Sequence, residues 1–319
     1  MQDFLLSQLD GQSGEGVTDL CLDHKLIDEF RPEKFEQLAG LELFPDLKIL
    51  SIAMHLLRNL NGLPHLPKLI DLDLNLNEIE EVSEVEHLPK LQFLHLQHNE
   101  IRDLGNIRFP KSLIELNLSF NHFEDKFQME ALPQLKVLLL NGNRRIRELG
   151  PLPTQLAELQ LRQCFIKDFT PIGKLQHLKK LGISPGSQSD LSCLSDQPKL
   201  EILCITGHRL SAHFDVPSLP QLQHLQIIQA KDLQSVAGIK ALRNLKQLEI
   251  SNTLLSQLPD LSGLEMLNTL KLKASPINSL KGLEELKGLK SIYLQDTLVA
   301  GEALKAFQQE RPEVEIHFA

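Results

Sequence analysis

The sequence predicts a right-handed α/β solenoid: a horseshoe of about thirteen stacked units, with short parallel strands on the concave side and 3₁₀ or irregular turns on the convex side. Three observations lead there. Leucine fills 68 of 319 positions, about twice its usual share. One pattern, L-x-x-L-x-L-x-x-N-x-L, recurs with a mean spacing of 22.0 residues from Leu47 to Leu289. Apolar residues also mark the second half of each unit, as at Val82, Val85 and Leu88 or at Leu280, Leu283 and Leu286. Self-similarity at such a period is the mark of a repeat array.

The pattern is plainest in Leu69-Ile-Asp-Leu-Asp-Leu-Asn-Leu-Asn-Glu-Ile79, and it returns at Leu91–Ile101 and Leu113–Phe123. Units begin at Val17, Leu47, Leu69, Leu91, Leu113, Leu135, Leu156, Leu178, Leu200, Leu222, Leu245, Leu267 and Leu289. Alternation along each strand sends the leucines inward and the residues between them to the opposite face. No unit closes a core alone, so stacking has to bury the leucines as one column. The turn that follows needs its backbone groups satisfied, and Asn77, Asn99, Asn121 and Asn143 at the ninth position are suited to do so. Later units carry Cys164, Gly186, His208, Ala230, Thr253, Ser275 and Thr297 there, which predicts a less regular C-terminal half.

These residues resemble the leucine-rich-repeat family, and the resemblance runs over nearly the whole chain. The spacing of the second half is similar to the short 22-residue class found in a protein-phosphatase regulatory subunit and in internalin-like bacterial surface proteins. A single domain is expected: an N-terminal cap over residues 1–16, repeats over 17–300 and a C-terminal cap over 301–319. The first unit is longer than the rest, and its Arg31–Leu38 segment reads as a helix opened by Pro32. Gly301–Glu310 reads as a helix and Val314–Phe318 as a closing strand. Only about 8–9 residues remain for each return path, which favours 3₁₀ turns.

Composition narrows the function. With 42% hydrophobic residues the chain is not disordered, and no apolar run approaches the ~20 residues that span a bilayer. A net charge of −9 argues against nucleic acid. With no Trp and one Tyr, few rings are available to stack on sugars or bases. The opening residues show no basic and apolar signal segment, so a cytoplasmic monomer with reduced Cys21, Cys164, Cys193 and Cys204 is expected. Gly182-Ile-Ser184-Pro-Gly186 matches a nucleophile elbow in letters but sits at a repeat turn. Neither metal nor cofactor is expected, although Asp73 beside His95 on the neighbouring strand would suit a zinc-dependent hydrolase as a rival reading.

The positions facing away from the core form two columns. One runs Ile49, Asp71, Phe93, Glu115, Val137, Glu158; the other runs Ser51, Asp73, His95, Asn117, Leu139, Gln160. Apolar side chains rimmed by carboxylates have the composition of an interaction patch. The expected function is therefore non-catalytic binding of a protein partner, centred on Asp71, Asp73, Phe93, His95, Glu115, Asn117, Phe120, Val137 and Leu139, with possible regulation of an enzyme. The alternative is an exported effector or adhesin. Lys271 and Lys273 make the last concave strands basic, Glu78–Glu86 an acidic rim, and Arg144, Arg145 and Arg147 a basic turn.

Overall fold

A computed structural model describes residues 1, 3, 5, 14–23, 35–105, 107–129 and 132–318. Most of the expected N-terminal cap and the start of the expected Arg31–Leu38 helix lie outside the described residues. The chain divides into two compact units: Met1–Ile146 with Gly150–Glu158, and Arg147–Leu149 with Leu159–Ala319.

Unit one carries β1 (Asp19–Cys21), β2 (Ile49–Ser51), β3 (Asp71–Asp73), β4 (Phe93–His95), β5 (Glu115–Asn117), β6 (Glu124–Phe127) and β7 (Val137–Leu139). All but β6 pair in chain order, parallel, in the register of the repeat: Ile49, Asp71, Phe93, Glu115 and Val137 are successive partners. β8 (Arg145–Leu149) and β9 (Glu158–Gln160) have residues in both units. In unit two β10 (Lys180–Ile183), β11 (Ile202–Thr206), β13 (His224–Ile228), β15 (Gln247–Ser251), β16 (Thr269–Lys273), β17 (Ser291–Gln295) and β18 (Glu315–His317) are parallel neighbours, while β12 (His213–Asp215) pairs with β14 (Ser235–Ala237). Short 3₁₀ turns cover the other side, at Leu41–Leu43, Ser83–His87, Thr170–Lys174, Ser192–Asp196 and Ile239–Ala241. These are the stacked strands and 3₁₀ turns of the expected solenoid. Helix α1 (Gly301–Glu310) and β18 form its C-terminal cap.

The core is the leucine column. Leu69, Leu72 and Leu74 are fully buried, as are their counterparts in the following units. Val82, Val85 and Leu88 close it from the convex side. At this spacing a one-residue slip would exchange the core face for the solvent face, which locks the register.

Each ladder asparagine holds two units together. Asn99 Nδ2 donates to the Leu74 and Leu96 carbonyls at 3.0 and 3.1 Å, and its Oδ1 accepts the Ile79 N–H at 2.9 Å. Asn77 and Asn121 repeat this arrangement. Asn143 Nδ2 makes the same two donations, but its buried Oδ1 has no partner. In the unit before Asn77 the position belongs to His55, whose Nδ1 accepts the Phe35 N–H at 3.1 Å while Nε2 lies 2.7 Å from the Leu22 carbonyl.

The C-terminal half corrects one expectation. Strands β11, β13, β15, β16 and β17 are five residues long, against three for β2–β5, so loss of the asparagines does not loosen the sheet. The cause is competition for one acceptor. In unit one the asparagine occupies the sixth-position carbonyl of the preceding unit, which a longer parallel ladder would offer to the next strand N–H. That N–H turns to a side chain instead: Asp73 Oδ1 accepts from Asn75 and Asn117 Oδ1 from Ser119. Without asparagines the pairing continues, helped by the β-branched Ile205, Ile227 and Ile250. Thr253 and Ser275 keep a smaller side-chain contact, 2.8 Å between their hydroxyls.

Candidate protein-binding face

The face of unit one opposite the leucine column is set by strand alternation alone. On it Asp71, Asp73, Phe93, His95, Glu115, Asn117, Val137 and Leu139 are all half-buried, each beside its counterpart on the next strand. Ile49 heads the first column and is 46% exposed.

The carboxylates differ. His95 Nε2 lies 3.7 Å from Asp71 Oδ1 rather than beside Asp73. Asp73 Oδ1 is already taken by the Asn75 backbone N–H at 2.9 Å and its side-chain amide at 2.6 Å. The Asp73/His95 pair expected of a metal site is thus not formed: the Asx turn that ends β3 draws the carboxylate away along its own strand. Among the described residues no group of three or more His, Cys, Asp and Glu side chains is placed to hold a metal. Burial pushes the Asp71 carboxyl above the usual carboxylate range, His95 opposes this, and Asp73 adds to it. Ionising Asp71 therefore carries a cost in this half-buried place.

Beyond the strands the sequence reading captured one member of a ridge and missed its neighbours. The eighth residue of ten units has φ between 45° and 80°: Met54, Leu76, His98, Phe120, Gly142, Gln163, Gln229, Asn252, Ala274 and Asp296. Left-handed backbone costs a non-glycine residue roughly 1–2 kcal/mol. It is offset here because the eighth N–H then reaches the next unit, as Leu76 does to the Gln97 carbonyl (3.0 Å) and His98 to the Ser119 carbonyl (3.0 Å). The same geometry turns the side chains outward. Leu76 and Phe120 are each 42% exposed, and the Phe120 ring stacks on His98 with centroids 4.4 Å apart. Phe120 in turn lies over Gly142, where a Cβ would come within 2.4 Å of the ring. Leu76, His98, Phe120 and Gly142 share one position of the 22-residue period, and that was the signal available in the sequence.

The other charged features resolve separately. Glu78 pairs with Arg58 at 3.3 Å, and Glu80, Glu81 and Glu86 border a cavity of about 440 Å³ with Arg102 and Arg108. The basic turn splits: Arg145 pairs with Glu124, whereas Arg147 lies over the Phe165 ring. In unit two Lys271 Nζ sits 5.6 Å from the Tyr293 ring centre, and Tyr293 stacks on His317 at 4.4 Å. Ser184 accepts the Gln163 N–H at 2.7 Å, as a turn residue does.

Comparison with known proteins agrees with this geometry. The family model of the leucine-rich repeat matches residues 87–106 and 110–126. A leucine-rich-repeat protein of Leptospira interrogans superposes with a TM-score of 0.63 at 22% identity, covering 95% of this chain and 90% of that one. An internalin of Listeria monocytogenes gives 0.58 at 22% identity over 95% and 87% of the two chains. The leucine-rich-repeat domain of APL1B gives 0.60 at 20% identity over 100% and 93%. No curated protein sequence matches the chain.

Proposed function

We propose that this chain, a leucine-rich-repeat protein, is a non-catalytic module that captures a protein partner on the strand face of unit one. Leucine-rich-repeat folds commonly serve as protein-interaction modules. The observation that carries the reading is the combination on one preorganised surface of exposed Ile49, Leu76 and Phe120 with half-buried Phe93, Val137 and Leu139, interleaved with Asp71, Asp73 and Glu115. Exposed apolar contacts within a polar rim favour a protein partner, and the carboxylates favour one with basic residues around an apolar anchor. A sheet ladder moves little on binding, so less ordering entropy opposes association.

The test is the double variant Phe93→Ala and Leu139→Ala, used as bait in lysate of the native cell beside the unaltered chain. Neither side chain belongs to the leucine column, so the melting temperature stays as it is while partner capture is lost. Equal capture by both baits would sink the proposal. We place the protein in the cytoplasm as a scaffold or enzyme regulator. Likeness in fold to an internalin supports the second reading, an exported effector or adhesin. Fractionation of the native cells, with the protein followed by antibody, separates the two.

A further inference from the structure

A second site lies in unit two, and its residues are not those of the columns above. Arg147, Phe165, Ile166, Lys167, Arg209 and the turn Ser184–Ser189 enclose a cavity of about 390 Å³. Its lining holds three cationic side chains, several serine hydroxyls and no carboxylate, in a protein whose net charge is −9. Both guanidinium groups lie over the Phe165 ring, 3.8 Å from its centre for Arg209 and 5.2 Å for Arg147. Stacking uses the flat face of a guanidinium and leaves its in-plane N–H groups for an acceptor. It also fixes two otherwise mobile side chains before any ligand arrives.

Two acids beside the lining in sequence, Asp168 and Asp190, are occupied elsewhere. Asp168 Oδ1 accepts the Thr170 N–H and hydroxyl at 2.8 and 2.5 Å, and Asp190 Oδ1 accepts the Ser192 N–H at 2.8 Å. The serine wall is itself built, since Gly186 N–H donates to Ser189 Oγ at 2.9 Å and Ser189 N–H returns to the Gly186 carbonyl at 3.1 Å. Arg209 is tied to the same turn by a backbone bridge to Gly186.

From this arrangement we infer that the cavity between Arg147, Phe165, Lys167 and Arg209 binds a phosphate group, free or as a monoester. Forked donors from two arginines match phosphate oxygens in pairs, and the lysine adds a third positive charge against a group that carries about −1.5 to −2 at neutral pH. A nucleobase is disfavoured, because the aromatic ring of the cavity is already engaged by guanidinium groups. The phosphoryl group reaches the site either as a free anion or on a phosphorylated side chain of a protein.

Calorimetric titration of the full chain at constant ionic strength tests this, with inorganic phosphate, N-acetyl-phosphoserine amide and acetate as probes. Both phosphates bind saturably, and acetate binds roughly tenfold more weakly, since it has one charge and no third oxygen. The double variant Arg147→Gln and Arg209→Gln removes phosphate binding while far-UV circular dichroism is unchanged. Ser187→Glu sits on the exposed part of the turn, where the fold tolerates it, and also removes binding by setting a carboxylate at the cavity. Tighter binding of the phosphoserine amide than of phosphate marks a protein-borne ester, and equal binding marks the free anion; either upholds the site. Absence of saturable phosphate binding, acetate equal to phosphate, or wild-type affinity in a folded variant overturns it.

Discussion

Asn121 answers for three backbone groups at once: the Leu96 and Leu118 carbonyls, to which it donates, and the Ile101 N–H, which it accepts. Replacement by alanine strands all three in the core, and a buried unsatisfied group costs about 1–3 kcal/mol. Asn121→Ala is therefore expected to lower unfolding free energy by roughly 3 kcal/mol or more in urea melts. Asn143→Ala should cost less, because its Oδ1 has no partner to lose. His55 shows that the requirement is for an acceptor and a donor at fixed places rather than for an amide, which a consensus built on asparagine does not reveal. Asp71 makes a pH prediction. Its carboxyl titrates above the usual range chiefly through burial, so the native state holds its proton more tightly than the unfolded chain does. The charged form then subtracts stability in full above the native pKa, and the penalty fades as pH falls through the native pKa and is gone below the unfolded value. Asp71→Asn is expected to stabilise the protein at pH 7, with its advantage shrinking through the acid range; a variant less stable than wild type at pH 7 would contradict this.

At the scale of elements, strand length and turn shape follow from competition for single carbonyls. Three-residue strands β3–β5 and β7 accompany the asparagine ladder and the five-residue strands β11, β13, β15, β16 and β17 run without it, because the ladder amide and the next strand N–H want the same acceptor. The 22-residue spacing marked where each strand lies but not how far it pairs, since that depends on a hydrogen bond from the following unit. The C-terminal cap has the same character. Helix α1 and β18 were legible as a pattern, yet Arg311, which joins them to the last repeats, was not. Its Nη1 donates to the Leu283, Glu284 and Leu286 carbonyls at 3.3, 3.0 and 3.1 Å, and its Nε to Glu313 at 2.6 Å. A charged side chain almost wholly buried among carbonyls leaves those acceptors unpaired when removed. Arg311→Ala is expected to cost about 2–4 kcal/mol and to lower the melting temperature clearly, whereas Arg311→Lys recovers only part, having no second nitrogen to hold Glu313 while the first reaches the carbonyls. Thermal melts of the two variants check the order.

For the whole molecule, composition and period decided the class before any contact was known. A repeat array is nearly one-dimensional: each unit buries its leucines only against the units before and after it, so a local pattern written thirteen times specifies both core and register. That is why the columns Ile49–Val137 and Ser51–Leu139 could be read from spacing and reappear as strand partners. Side-chain pairing obeys no such period. His95 chose Asp71 because a local Asx turn claimed Asp73, and Phe120 became a stacked ridge residue because the backbone turns left-handed at the eighth position. Arg147 and Arg209 stand 62 residues apart in the chain and meet over Phe165 only after the units stack. The sequence by itself determined the solenoid, its core and which positions face outward, since those depend on periodicity and burial. Tertiary structure alone decided which outward side chains are spent on one another and which remain available, since rotamers and hydrogen-bond competition are settled between units rather than within one.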